Sequence, residues 1–498
     1  MIESLRAALL GTCIVATASV ATGAQAAPEP GPLNAPGAPS LLVQEMEQGD
    51  AALARQDYAL AMKLYQMAAA QNNAKAQDRI AFLYTAGLGV TKDYAEAMQW
   101  YQKAAAQYDP EAESNIGIMY ELGAGVPKNY GEAMEWFRKA ATLGYSRAAA
   151  LIGELYKDGN GVAQDYAEAM QWYQKAAALG GPEGETDIGI LYELGLGVPQ
   201  DDALAMQWYQ KAAARGFALA ENKLGHMYGL GQGVTRDYAQ AMQWFMKAVA
   251  HGDAECAANI AYMYLEGLGM AKDGTQAIKW YQRADDLGFA KAKIGIGFVF
   301  DRGAPGITKD YGQAMQWYQK AAVQNDAEAE EFLGLHYGEG AGVSPDLDQA
   351  VQWLKKAAAH GSAFANDEIA DLQSRQAINQ TPPTTVQSAP ADSAASDAPL
   401  LPIVATHTLP PYPILSQRLG EQGISILQVQ IRTSGDADNC AVTSSSGSPV
   451  LDRMACEFVR SHWKWRAPVV RGISQATATR VDVHWDLSIA QPPSLNPN

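Results

Sequence analysis

From about residue 42 to residue 373 the apolar positions fall into two alternating helical stripes, divided by glycine-rich breaks. The stretch Ala74 to Tyr108 shows one full cycle. Ala76, Ile80, Leu83 and Tyr84 lie at helical spacing and predict a first helix. Gly87-Leu88-Gly89-Val90 ends it, because glycine tolerates the positive φ needed just past a helix terminus. Asp93 then offers an N-cap, and Glu96 three residues on completes a capping-box pattern. Tyr94, Ala97, Met98, Tyr101 and Ala105 form the apolar stripe of a second helix, widened by Trp100.

The cycle repeats with a nearly constant period. Trp100, Trp136, Trp172, Trp208, Trp244, Trp280, Trp317 and Trp353 follow one another at steps of 36 residues, with one step of 37 between Trp280 and Trp317. The paired glycines return as 123/125, 159/161, 195/197, 231/233, 267/269 and 340/342, and in the longer step they spread to Gly303 and Gly306 around Pro305. The caps return as Asn129, Asp165, Asp201, Asp237, Asp273, Asp310 and Asp346. Tyr58 to Tyr65 matches the second helix with Leu64 in the tryptophan position, which makes nine copies. A fixed period of this size predicts a solenoid of stacked helical hairpins, an architecture that presents surface rather than a catalytic pocket. The tryptophan ladder is expected to pack as core and inter-repeat filler. The Gly-x-Gly breaks read as structural turns, since no Lys-Ser/Thr follows them and no strand precedes them.

The helical pattern fades after Leu372, and residues 379–399 are rich in Pro, Ser, Thr and Ala, the composition of an extended tether. From Pro410 the texture changes again. A short helix is expected at Ile414–Leu419. Ile424 to Ile431 alternates with a period of two, Gly435 to Asn439 reads as a turn, and Cys440 to Thr443 reads as a second strand. Pro449 to His462 reads as a helix with proline in its first turn, and Arg480 to Leu487 as a third strand.

Charge and cysteine usage narrow the setting. Residues 28–399 carry 28 basic and 46 acidic side chains, a net of −18, against 8 and 7 over residues 400–498. So acidic an array repels nucleic acid and anionic headgroups, and no nucleic-acid partner is expected. Arg6 precedes an uncharged run from Ala7 to Pro28 that ends in Ala24-Gln25-Ala26, the pattern of a cleavable export signal. Cleavage after Ala26 predicts a periplasmic protein. The alternative is a retained anchor in the inner membrane, and membrane association is expected only in that case. Cys13 leaves with the signal and Cys256 stands alone within the repeats. Cys440 and Cys456 are a candidate disulfide in an exported chain.

The repeat residues resemble the Sel-one-like repeat, a relative of the tetratricopeptide repeat. Ile116-Gly117-Ile118-Met119-Tyr120, Gly123-Ala124-Gly125-Val126 and Ala133 to Ala141 follow that family's pattern closely. The resemblance implies an all-α right-handed superhelical solenoid whose first helices line a concave face, and a role as adaptor or scaffold. The C-terminal part resembles the terminal domain of TonB-type energy transducers. It carries Tyr412-Pro413, Gly420, Gly423, Ser445-Ser446-Gly447, Leu451-Asp452, Ala455, Trp465-Arg466-Ala467-Pro468 and Gly472. This resemblance implies a small α+β domain that binds an extended peptide by strand addition, and it includes a subset with cysteines at the positions of Cys440 and Cys456. A bridge there adds about 3 kcal/mol on chain-entropy grounds. The expected peptide-binding edge is Arg480, Val481, Asp482, Val483, His484, Trp485, Asp486 and Leu487, because an open strand edge offers unpaired N–H and C=O groups.

These expectations define six segments: a signal at 1–26, a Pro-rich linker at 27–41, the solenoid at 42–373, a Pro/Ser/Ala linker at 374–408, the TonB-like domain at 409–490 and a tail at 491–498. No metalloprotease, Cys-x-x-Cys, Walker, EF-hand or Gly-x-Ser-x-Gly pattern occurs, so no metal, cofactor or catalytic residue is expected. His226, His251, His336 and His360 fall in separate repeats. Ser461 and Lys464 form a Ser-x-x-Lys pair without its Ser-Asp-Asn and Lys-Thr-Gly companions, a weak pointer to penicillin binding or envelope remodelling. The expected function is a non-enzymatic scaffold, its solenoid holding one protein and its terminal domain an extended segment of an outer-membrane receptor or envelope complex. The alternative is an energy transducer for outer-membrane transport. N-terminal sequencing separates the two: a mature chain beginning at Ala27 selects the scaffold, and one retaining residues 1–26 selects the transducer.

Overall fold

Every second helix starts where a side chain can satisfy its free backbone N–H groups. In the computed structural model, which describes residues 41–380, 401–402, Ser416, Leu419 and most of 422–485, Asp93, Asn129, Asp165 and Asp237 each accept from two amides of the following turn. Asp57, Asp201, Asp273, Asp310 and Asp346 accept from one. Most first helices end on left-handed glycines, φ +72° at Gly87 and Gly123 and +65° at Gly340. A side chain there meets positive-φ strain. The inserted residue of the 37-residue step lies in the turn, where Ala304 and Ile307 form a small bridge. The signal, both proline-rich stretches, the short helix at Ile414–Leu419, the motif positions Tyr412, Pro413, Gly420, Ala467, Pro468 and Gly472, and the tail lie wholly or largely outside the described residues.

The chain forms two compact units, Met1–Cys256 and Ala257–Asn498. In the first, helices Leu41–Ala54 and Tyr58–Ala70 make one hairpin, and Ala74–Ala86 with Tyr94–Ala105 the next. The series continues through Ala218–Leu230 with Tyr238–Ala250, each hairpin packed on the one before. In the second, hairpins Ala292–Arg302/Tyr311–Ala322 and Ala327–Glu339/Leu347–Ala359 continue the pattern and precede a lone helix, Ala365–Gln380. That helix runs seven residues into the segment read as linker, because no proline occurs before Pro382. Leu401–Pro402, also read as linker, pairs antiparallel with Trp465–Arg466.

The core of each hairpin is the residue after the tryptophan position, which Leu64 fills in the first copy. Tyr65, Tyr101, Phe137, Tyr173, Tyr209, Tyr318 and Leu354 are fully enclosed. In most hairpins the ring fits because the facing first helix has a glycine; Tyr101 packs against a helix with Ala81 there instead. A Cβ on Gly153 would stand 2.5 Å from the Tyr173 ring, and Gly117, Gly189 and Gly297 meet Phe137, Tyr209 and Tyr318 in the same way. Alanines fill the remaining close approaches, with Ala133, Ala140, Ala148 and Ala169 wholly buried in one cluster.

The tryptophans do something different from filling the core. All eight are half-buried. One side packs on neighbouring clusters, as Trp136 does on the group around Tyr101 and Ile116. The exposed face carries the lysine of the next turn: Lys139 Nζ lies 3.7 Å from the Trp136 ring centre and Lys211 Nζ 3.6 Å from that of Trp208. Corresponding pairs stand at Trp100, Trp172, Trp244, Trp317 and Trp353. The indole is thus an amphipathic joint, partly wet, whose cation–π contact adds about 0.5–1 kcal/mol at such exposure.

Gly153→Ala tests the packing. In an unconstrained helix interior the change gains about 1 kcal/mol. Against the Tyr173 ring it should instead cost about 1–3 kcal/mol through overpacking. Tyr173→Ala should cost about 3–5 kcal/mol, and Trp172→Ala clearly less. Thermal or urea melts decide, and equal losses for the two aromatic changes would refute this division of roles.

Candidate functional site

The terminal domain is organised by one amphipathic helix on one small sheet. Strand Gly423–Ile431 is central, with Ala437–Ser444 on one side and Thr477–Trp485 on the other, both antiparallel to it. The strand Ala437–Ser444 begins inside the segment read as a turn. Leu427, Val429 and Ile431 alternate inward with Val481, Val483 and Trp485, and helix Pro449–His462 covers them with Leu451, Ala455 and Val459. The period-two and helical stripes interdigitate, so a single buried layer holds both elements.

The two outer strands differ. Thr477–Trp485 keeps an unbroken register with the central strand from Ile431↔Thr477 to Gly423↔Trp485. Among the described residues no strand pairs with its outer edge. Ala437–Ser444 instead has irregularities opposite Ile426/Leu427 and Gln430/Ile431. Such bulges twist an edge and discourage further pairing. Of the residues named for the edge, Arg480, Asp482 and His484 are exposed, whereas Val481, Val483 and Trp485 point into the core. Asp486 and Leu487 lie outside the described residues. Arg480 donates to Asp482 through Nε (2.9 Å) and Nη2 (3.2 Å), and that hydrogen bond holds the Asp482 carboxyl below its usual range.

A buried polar node fixes this edge to the rest of the domain. The Trp485 indole N–H donates to Ser425 Oγ at 3.0 Å, and Ser425 Oγ donates to Asp452 Oδ1 at 2.7 Å. Asp452 also accepts from the Ser446 amide at 2.8 Å and from the Ser445 hydroxyl. The Ser-Ser-Gly and Leu-Asp motifs are therefore two halves of one structural clasp joining helix, turn, central strand and closing strand. Burial makes each missing partner costly. The sequence marked these residues only as motif positions; their joint role needed the fold.

Cys440 and Cys456 are bridged, with Cα atoms 5.7 Å apart, and tie the outer strand to the helix. Cys256 is buried, and burial pushes its thiol well above the ordinary range. Lys464 of the Ser-x-x-Lys pair lies beyond the helix end at His462 and ion-pairs with Asp436, which is held below its usual range by that contact. His251 and His360 each meet a glutamate, Glu221 and Glu330, at 2.7 Å, and His336 meets Asp301 at 3.0 Å. Among the described residues no group of three His, Cys, Asp or Glu side chains is arranged to hold a metal ion. No described helix is long and apolar enough to cross a membrane. The lysine-capped tryptophan faces were missed from sequence, although Trp-x-x-Lys recurs at helical spacing and signals them.

The Sel1 repeat model matches nine consecutive stretches from residue 46 to residue 362, and the model for the Gram-negative bacterial TonB protein C-terminal matches residues 408–487. Among solved structures the chain is similar to a protective antigen of uropathogenic Escherichia coli displaying an SLR fold, at 35% identity, covering 67% of this chain and 72% of that one with a TM-score of 0.42. It is also similar to a Sel1 repeat protein from Oxalobacter formigenes, at 37% identity, covering 48% and 99% with a TM-score of 0.42. A search of curated proteins gives no match.

The bridge makes a direct prediction. A non-reducing digest should yield a peptide joining Cys440 to Cys456, and reduction should cost the terminal domain about 3 kcal/mol, the scale for a loop of this length. Two free thiols, or no change in the domain's melt on reduction, would contradict a stabilising bridge.

Proposed function

The chain belongs to the Sel1 repeat family and ends in a TonB-type C-terminal domain, and from that premise we propose that it is a non-enzymatic scaffold of the Gram-negative periplasm. Both families are protein-interaction modules, so its partners are proteins. The repeat array holds one partner. The terminal domain captures an extended segment of another, as an added strand along Thr477–Trp485. The carrying observation is the regular nine-residue register of that strand, with an outer edge that no other described strand pairs. Added backbone hydrogen bonds give such binding its affinity, and the outward Arg480, Asp482 and His484 give it selectivity. The exported setting rests on the signal pattern before Ala27 and on the bridge between Cys440 and Cys456.

A photo-crosslinking residue at His484 should trap a protein partner in intact cells, and the same residue at Val442 on the other outer strand should not. Capture from Val442 alone, or from neither strand while array positions still crosslink, would refute strand addition along the closing edge.

A further inference from the structure

The terminal helix has two apolar stripes where covering its own sheet needs one. Leu451, Ala455 and Val459 face the sheet. Val450, rotated by about 100° around the helix, belongs instead to the cluster of the repeat hairpins, together with Leu419, and Met454 packs against both clusters. That cluster includes Tyr318, Phe332, Leu335 and Ala341, and it leaves Val450 1% and Leu419 3% exposed. Two polar contacts border the apolar patch. Arg453 Nη1 donates to the Gly340 carbonyl at 2.7 Å, and Lys309 Nζ donates to the Gly447 carbonyl at 3.3 Å. Gly340 is the left-handed residue that ends helix Ala327–Glu339, so its carbonyl lies in a turn rather than within the helix ladder.

The receiving turn is itself specialised. His336 Nδ1 lies 3.0 Å from the Ala341 carbonyl, which can only accept, so Nδ1 carries a proton and donates. Nε2 lies 3.0 Å from Asp301 Oδ2, which also accepts from the Tyr318 hydroxyl at 2.8 Å. His336 and Asp301 are both fully buried. The other repeats place Leu83, Met119, Leu155, Leu191, Met227, Met263 and Val299 where this one has His336. An apolar residue suffices for hairpin packing, so packing alone does not call for the imidazole. What it adds is a hold on Ala341, next to the carbonyl that Arg453 engages.

We propose that the turn Gly340–Gly342 and the adjoining apolar patch form an intramolecular docking site for the chain's own terminal domain. His336 and Asp301 are its positioning residues. The domain is then seated on the last hairpins rather than swinging on its linker. Arg480, Asp482 and His484 remain exposed with the domain in place, so docking holds the closing edge in a fixed orientation beside the array. Docking does not depend on what that edge binds.

The test uses the full chain with spin labels on unnatural residues at Gln316 and Ala441, both exposed. The wild-type protein should give one narrow distance distribution. Val450→Asp, and separately the milder pair Lys309→Ala with Arg453→Ala, should broaden it while the Cys440–Cys456 peptide is retained. The pair His336→Met with Asp301→Leu installs residue types that the array uses at these positions, Met263 and Leu265. It should broaden the distribution too, and speed exchange of the Ala341 amide by about tenfold or more through local opening. A broad wild-type distribution, or narrow ones in both docking variants, would overturn the docking site. A narrow distribution in the His336/Asp301 variant would overturn the positioning role.

Discussion

A ring seated against a missing side chain is the tightest contact in most of the hairpins. Where the first helix offers glycine, the backbone of that helix becomes the floor of a slot, and the tyrosine or phenylalanine of the second helix fills it. Close packing of this kind has no slack: a single methyl group at Gly153 would stand inside the van der Waals radius of the Tyr173 ring. Buried alanines such as Ala133, Ala140 and Ala169 flank the ring and keep the helices close. Caps and left-handed glycines then set where each helix starts and stops, so one geometry can be copied along the chain.

The tryptophans complete the division of labour. Their period announces the array, yet they lie at its wet margin, half covered by the neighbouring cluster and half by a lysine ammonium. Such a joint tolerates adjustment between hairpins better than a sealed core does, because its lysine side remains solvated. An array built this way offers repeated surface with local variation. His251 against Glu221, Arg215 against Glu185 and Gln107 against Gln77 all bridge residues 30 apart, with a different chemistry at each step.

The terminal domain solves the opposite problem. A three-stranded sheet stands at the lower limit for independent stability. Here support comes from a covering helix, a disulfide to the outer strand and the Asp452 clasp. These devices rigidify the domain from one face and one edge. The closing strand is fixed through Val481, Val483 and Trp485, which leaves its outer rim for pairing. The second apolar stripe of the helix links this domain to the hairpins that precede it.

Local signals in the chain determined the repeat, its nine copies, the capping residues, the glycine turns and the helix Pro449–His462, because each depends on residues within a few positions of one another. They also marked the period-two strands. Tertiary structure decided how completely each aromatic of the stripe is buried: Tyr173 is sealed against Gly153 across the hairpin, whereas its neighbour Trp172 stays half-buried. It also decided that Ser425, Ser446, Asp452 and Trp485 meet, and that Arg453 reaches Gly340 across 113 residues. The physical reason is range. Capping and periodicity are enforced along the chain, whereas exclusion of water from a slot or a clasp depends on surfaces that no local stretch contains.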